Sequence, residues 1–255
     1  MSSARTSRHD RPGPVLPDPV LHGGRHARPA PGPGNAGHGL LRLLIGVGLA
    51  VAVLVLGAVA KTGPVARLDL RVDEHIAAHD RTSVLTALAK AASTVATPEI
   101  IGIGLMIVLP VILVLIRRRL DALRVFGMFG GALALAEAGK KLIGEHRPPV
   151  SLQAMAADSG ASYPSGHVTT AAILTVSVIV IATATWRYAA IVGGGLYVLA
   201  VAASRVYLAD HYPVDVLGGI GCALAAGYLV TGLAALPGLQ PYLRRLDTRG
   251  RGAAS

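Results

Sequence analysis

Leu40–Ala60, LLRLLIGVGLAVAVLVLGAVA, is a run of 21 residues with one charge, Arg42. At about 1.5 Å per residue it is as long as a hydrocarbon core of roughly 30 Å is thick. An amphipathic helix of a soluble domain would carry polar residues on one face of every turn. This run does not, so its natural solvent is lipid. Five further apolar blocks follow, at about Ile100–Ile116, Ala122–Ile143, Val168–Thr185, Tyr188–Ala203 and Val214–Leu236. In lipid each backbone N–H and C=O must be paired within its own segment, so the blocks read as α-helices. The expected fold is all-α: a bundle of six transmembrane helices occupying residues 40–236. Ala58-Val59-Ala60 looks like a signal-peptidase site, but the apolar region of a leader runs only about 7–15 residues, which favours a retained helix.

Composition supports this. Of 255 residues, 52% are hydrophobic and 15% charged, against about a quarter charged in soluble domains. The net charge of +10 does not indicate nucleic acid, because the arginines sit in tails and short turns between apolar blocks. The single cysteine, Cys222, excludes an intrachain disulfide and a cysteine-based metal cluster. Residues 1–39, rich in Pro, Gly, Arg and His, read as a disordered basic tail, and 237–255 as a second basic tail.

Six crossings put both termini on one side, and Lys and Arg decide which. Arg5, Arg8, Arg11, Arg25, Arg28 and Arg42 precede or open the first block. Arg117, Arg118, Arg119, Arg124 and Arg187 fall in turns on the same side, with Arg244, Arg245, Arg249 and Arg251 in the C-terminal tail. These are fifteen of the 24 basic residues. The tails are therefore expected in the cytoplasm of a cell whose plasma membrane the chain spans, and loops 61–99, 144–167 and 204–213 outside. Within the first loop Val84, Leu85, Leu88, Ala91, Ala92 and Val95 recur at helical spacing. They predict a short helix lying on the outer surface.

Ionisable residues at the ends of membrane helices are costly, and they point to function. Here they form three clusters on one predicted face: Lys140 with Arg147-Pro148, then Pro164-Ser165-Gly166-His167, then Ser204-Arg205 with His211 and Asp215. Lys140, Arg147 and Arg205 are three cations, and guanidinium forks suit phosphate oxygens. Ser165 and Gly166 stand before a helix whose N-terminus attracts an anion. Pro213 stands where an N1 proline would start the last helix. Asp215, four residues after His211, is placed to hold its Nδ1–H and leave Nε2 as a nucleophile toward phosphorus. His167 is placed to protonate the leaving alkoxide. The carboxylates appear scattered along the chain, so metal-independent hydrolysis without a cofactor is expected. Lys141, Glu145, His146 and Asp210 flank the motifs and read as rim residues. Glu137 is expected to pair with Lys140 or Lys141, and Tyr163 and Tyr207 to lie at the membrane interface.

The pattern K-x6-R-P, P-S-G-H, S-R-x5-H-x3-D resembles the signature of the type-2 phosphatidic acid phosphatase superfamily, which includes lipid phosphate phosphatases and vanadium haloperoxidases. Every signature position is matched, and the six-block layout resembles the membrane branch. The resemblance implies a helical core like that of the acid phosphatases and haloperoxidases. It implies a phosphohistidine on His211, orientation by Asp215, acid catalysis by His167, and phosphate binding by Lys140, Arg147, Ser165, Gly166 and Arg205. The expected substrate is a membrane lipid phosphate: undecaprenyl diphosphate, which an outward site and an Ala-, Gly- and Arg-rich composition favour, or phosphatidic acid or phosphatidylglycerol phosphate. A small-anion transporter is the non-enzymatic alternative, but it predicts charges through the depth of several helices rather than at one level.

Overall fold

The computed structural model describes residues 34–156 and 158–248. Among these residues there is no β-strand. Helix α1 (Gly34–Ala60) starts six residues before the expected boundary, and the rest of the proposed N-terminal tail, up to residue 33, lies outside the described residues. The loop expected at 61–99 is itself mostly helical. Helix α2 (Gly63–His75) continues into a π-helical turn (Ile76–Asp80). It is followed by α3 (Ser83–Val95) and α4 (Pro98–Ile103), then a second π-helical turn (Gly104–Val108) and α5 (Leu109–Leu115). The prolines explain the breaks. Pro98 restarts a helix at its first turn, where a missing N–H is harmless. Pro110 has no N–H for the carbonyl four residues back, and the wider π turn lies there.

Helix α3 differs from the flat surface helix expected. It packs on α8 (Ala184–Tyr207) through Ala89 and Ser93, which are buried. Val84, Leu85, Leu88 and Val95 face outward. Small residues let two helix backbones approach closely, while the large apolar ones are left for lipid. Ser83–Leu115 thus forms one apolar helical stretch of 33 residues.

The remaining helices are α6 (Arg119–Ile143), α7 (Gly166–Ile181), α9 (Pro213–Ala235) and α10 (Gln240–Thr248). The last occupies part of the expected C-terminal tail. Pro213 opens α9 as anticipated. Among the described residues five stretches are long and apolar enough to cross a membrane: 37–60, 83–115, 119–143, 184–207 and 213–235. Helix α7 is apolar but has only 16 residues, so the expected fourth block is shorter than read, and Ala182 and Thr183 are extended before α8 begins.

Helix α7 touches α4, α6, α8 and α9. The core around it is built from Val125, Met128, Ala132, Ile173, Val201 and Ala226, all fully or almost fully buried. A Cβ on Gly219 of α9 would stand 2.8 Å from the Ser165 carbonyl oxygen, so only glycine admits this crossing. The contact seats the N-terminus of α7. The exterior carries exposed Leu44, Val55, Ile107, Leu115, Leu196 and Leu199. That apolar surface belongs to a multi-pass membrane protein.

Candidate active site

The site is assembled at one end of the bundle by the ends of α6 and α8 and the starts of α7 and α9. Helix α6 stops at Gly144, which is left-handed, with Lys61 donating to the Ile143 carbonyl at 2.8 Å. Lys140, one turn earlier, pairs with Glu137 at 3.3 Å, one of the two partners anticipated for Glu137. Lys140 Nζ stands 3.8 Å from where a Cβ on Gly166 would be, so the first motif meets the second. Ser165 is the N-cap of α7, its Oγ accepting from the Val168 N–H at 3.5 Å. Its own N–H donates to the Asp215 carbonyl at 3.1 Å, tying the second motif to the third. The free first-turn amides of a helix favour an anion, and Gly166 and His167 face the cleft there.

That cleft has a volume of about 510 Å³ and is lined by Lys140, Arg147, Gly166, His167, Arg205 and His211. Ser165 and Asp215 lie behind it, both fully buried. Asp215 Oδ2 accepts from the Tyr212 N–H at 2.9 Å, from His211 Nδ1 at 3.2 Å and from the Ser162 hydroxyl. With Nδ1–H committed to Asp215, Nε2 of His211 carries the lone pair, and Arg147 Nη1 lies 3.3 Å and Asp210 Oδ2 3.4 Å from it. Burial first, then the Arg147 and Arg205 charges, hold this imidazole well below its usual pKa. It is therefore neutral, as a nucleophile must be. Arg147 also donates to the Asp210 backbone and carboxylate at 3.0 and 2.9 Å.

Residues 121–235, which carry all three motifs, match the model of the PAP2 superfamily. The matched stretch runs from the start of α6 to the end of α9. The fold of the chain is similar to the crystal structure of the first transmembrane PAP2 type phosphatidylglycerolphosphate phosphatase from Bacillus subtilis. That similarity has a TM-score of 0.64 and 24% identity, and covers 74% of this chain and 94% of the other. No curated protein matches the chain.

Several polar residues of this site take positions that their sequence neighbourhoods do not announce. Asp210 is not a rim residue: it is fully buried, and its carboxylate bonds both Arg147 and Arg205. Arg205 also donates to Ser93 of α3 and, at 2.8 Å, to Asp158. Asp158 Oδ2 lies 3.3 Å from His167 Nδ1 as well. The bond from His167, then the Arg205 charge, hold the Asp158 carboxyl well below the usual carboxylate range. One carboxylate oxygen thus occupies the space between the cation and the imidazole. Tyr163 is not interfacial either. It is fully buried, with its ring between Gly57 and Gly218, where any Cβ would come within 2.6 Å of ring atoms, and its hydroxyl donating to the Val53 carbonyl at 2.5 Å.

The carboxylates are less scattered than the sequence suggests. Ligand atoms of Asp158, Asp210 and His211 lie within 4.8 Å of one another, but Arg147 and Arg205 already engage the carboxylate oxygens. Such a set suits an anion better than a cation. Beyond Asp215, the carboxyls of Asp69, Asp73 and Glu145 influence one another. Burial first, then Asp69 and Asp215, push Asp73 up to about 8. Burial first, then Asp215 and Asp69, push Glu145 up to about 7. Lys141 and His146 are exposed.

Proposed function

We propose that this chain is an integral membrane lipid phosphatase of the PAP2 superfamily working through a phosphohistidine on His211. The observation that carries the reading is a neutral His211 held by Asp215 within one cleft with Arg147, Arg205, Lys140 and His167. The phosphoryl group enters against Lys140, Arg147, Arg205 and the Ser165-Gly166 turn, displacing the Asp158 carboxylate. His211 Nε2 then attacks phosphorus, and an N–P bond forms as the P–O bond to the lipid breaks. Asp215 stabilises the imidazolium, and His167 delivers its proton to the departing oxygen. Water attacks next. It gives its proton back to His167, the N–P bond breaks, and phosphate leaves. No step calls on a metal or cofactor.

The lipid tail stays in the bilayer while its headgroup enters the cleft. We place six crossings in the membrane, α7 being the short one, with 40–236 as the phosphatase domain, both basic tails in the cytoplasm and the cleft facing outward. The arginine distribution supports that orientation. The favoured substrate is undecaprenyl diphosphate, which presents its diphosphate on the outer side. The likeness to a phosphatidylglycerolphosphate phosphatase supports the second reading, phosphatidylglycerol phosphate or phosphatidic acid. A phosphate-release panel over these three lipids, in detergent with EDTA, separates the readings. Release from phosphatidic acid but never from the polyprenyl diphosphate eliminates the first, and loss of all release in EDTA eliminates the metal-free route. His211→Ala must abolish turnover while leaving a non-hydrolysable lipid phosphonate able to bind.

A further inference from the structure

The other end of the bundle carries a cleft of about 600 Å³ that includes Arg42, Arg124, Arg187 and Gln240. It is remote from the phosphate cleft. Arg124 precedes Lys140 on α6 by sixteen residues, about 24 Å of helix. Arg187 lies in the first turn of α8, which ends near Arg205, and Arg42 lies in the third turn of α1, which ends beside Lys61. Three helices running in the same direction, α1, α6 and α8, thus bring one arginine each to a common level. Trp186 and Tyr188, flanking Arg187, are 69% and 76% exposed, which marks this level as the headgroup zone.

Among the described residues no carboxylate lines this cleft. The nearest one along α6, Asp121, is already shared by Arg118 at 2.7 Å and Arg124 at 3.2 Å. Arg124 Nε is buried with no hydrogen-bond partner. Val176, Ile179, Val180 and Leu224 form an apolar wall leading from the arginines toward the membrane interior between α7 and α9. A free phosphate would satisfy the cations and leave that wall bare. An amphiphile satisfies both.

We propose that this cleft is a second lipid site, separate from the catalytic one, that takes the phosphodiester headgroup of an anionic phospholipid among Arg42, Arg124 and Arg187 and its acyl chain along Val176–Val180. Basic hollows between transmembrane helices hold such headgroups on general electrostatic grounds.

The test uses the full-length protein in detergent, titrated separately with phosphatidylglycerol, phosphatidylcholine and inorganic phosphate, with Tm and lipid retention in native mass spectrometry as readouts. Phosphatidylglycerol is expected to raise Tm and to remain bound at one copy and phosphatidylcholine to do neither, while any rise with inorganic phosphate, which the catalytic cleft also takes, is the same in the wild type and in the variants below. The double variant Arg42→Gln/Arg187→Gln leaves the Asp121–Arg124 pair intact and should bind phosphatidylglycerol about 30-fold more weakly, with phosphate release unchanged. Val180→Trp fills the apolar wall and should abolish the Tm rise with all three arginines in place. An equal rise with phosphatidylcholine overturns the proposal, as does a phosphate-induced rise that the double variant removes together with the phosphatidylglycerol response while Val180→Trp spares both, or a wild-type phosphatidylglycerol response in both variants.

Discussion

Asp215→Asn probes the link between structure and chemistry most directly. The substitution keeps an oxygen acceptor for the Tyr212 N–H, 2.9 Å away, so the start of α9 should survive. What it removes is the negative charge 3.2 Å from His211 Nδ1, which matters most when Nε2 bonds to phosphorus and the ring becomes cationic. Two unit charges about 4 Å apart interact by roughly 4 kcal/mol at an effective dielectric constant near 20. A loss of that size in the transition state corresponds to a fall of about 10³ in kcat. KM should change little, because Lys140, Arg147 and Arg205 do not touch the substituted atoms. The assay is steady-state phosphate release together with rapid acid quench, which traps acid-labile phosphoenzyme. A kcat loss under tenfold, or a loss carried entirely by KM, would refute the view of His211 as a nucleophile held by its neighbour.

Three further perturbations have defined outcomes. Asp158→Asn removes a half-exposed carboxylate that would compete with substrate for Arg205 and His167, so KM should fall several-fold; an unchanged or raised KM assigns Asp158 to structural support instead. Asp73→Asn tests the buried carboxyl raised to about 8. The folded chain keeps this proton up to that pH while the unfolded chain releases it above about 4, so the stability present below pH 4 is lost as pH rises to 8. The variant and wild type should therefore melt together at pH 4, and the variant should melt higher at pH 8; equal curves at both values dismiss the assignment. Gly219→Ala places a methyl 2.8 Å from the Ser165 carbonyl. It should cost about 1–3 kcal/mol and raise KM by displacing the anion-binding turn, and an unaltered Tm would contradict the close crossing.

The membrane helices were legible because lipid imposes one rule on every spanning segment, and runs such as Leu40–Ala60 declare it. The three motifs were legible because Lys140, His167, Arg205 and Asp215 sit on or beside rigid helices whose order fixes which ends meet. Asp158 and Ser93 were not legible. Each reaches Arg205 from a distant part of the chain, and no local periodicity encodes that meeting. Asp210 hid in a variable position of its own motif, where exposure on a loop was the natural assumption. Tyr163 went astray for a steric reason: its slot consists of missing side chains, Gly57 and Gly218, which a chain read residue by residue cannot pair. The continuity of Ser83–Leu115 was not legible either, because the polar residues of 61–99 read as one loop.

The brevity of α7 has a consequence for the helices around it. Sixteen residues reach about 24 Å, less than the usual thickness of the oily layer, while the neighbouring α8 and α9 run longer. Because α4, α6, α8 and α9 enclose it, the shortfall is taken up within the bundle rather than by bordering lipid. Any substitution that lengthened α7 would have to be absorbed by those four neighbours, and with them by the four helix ends that meet at the cleft.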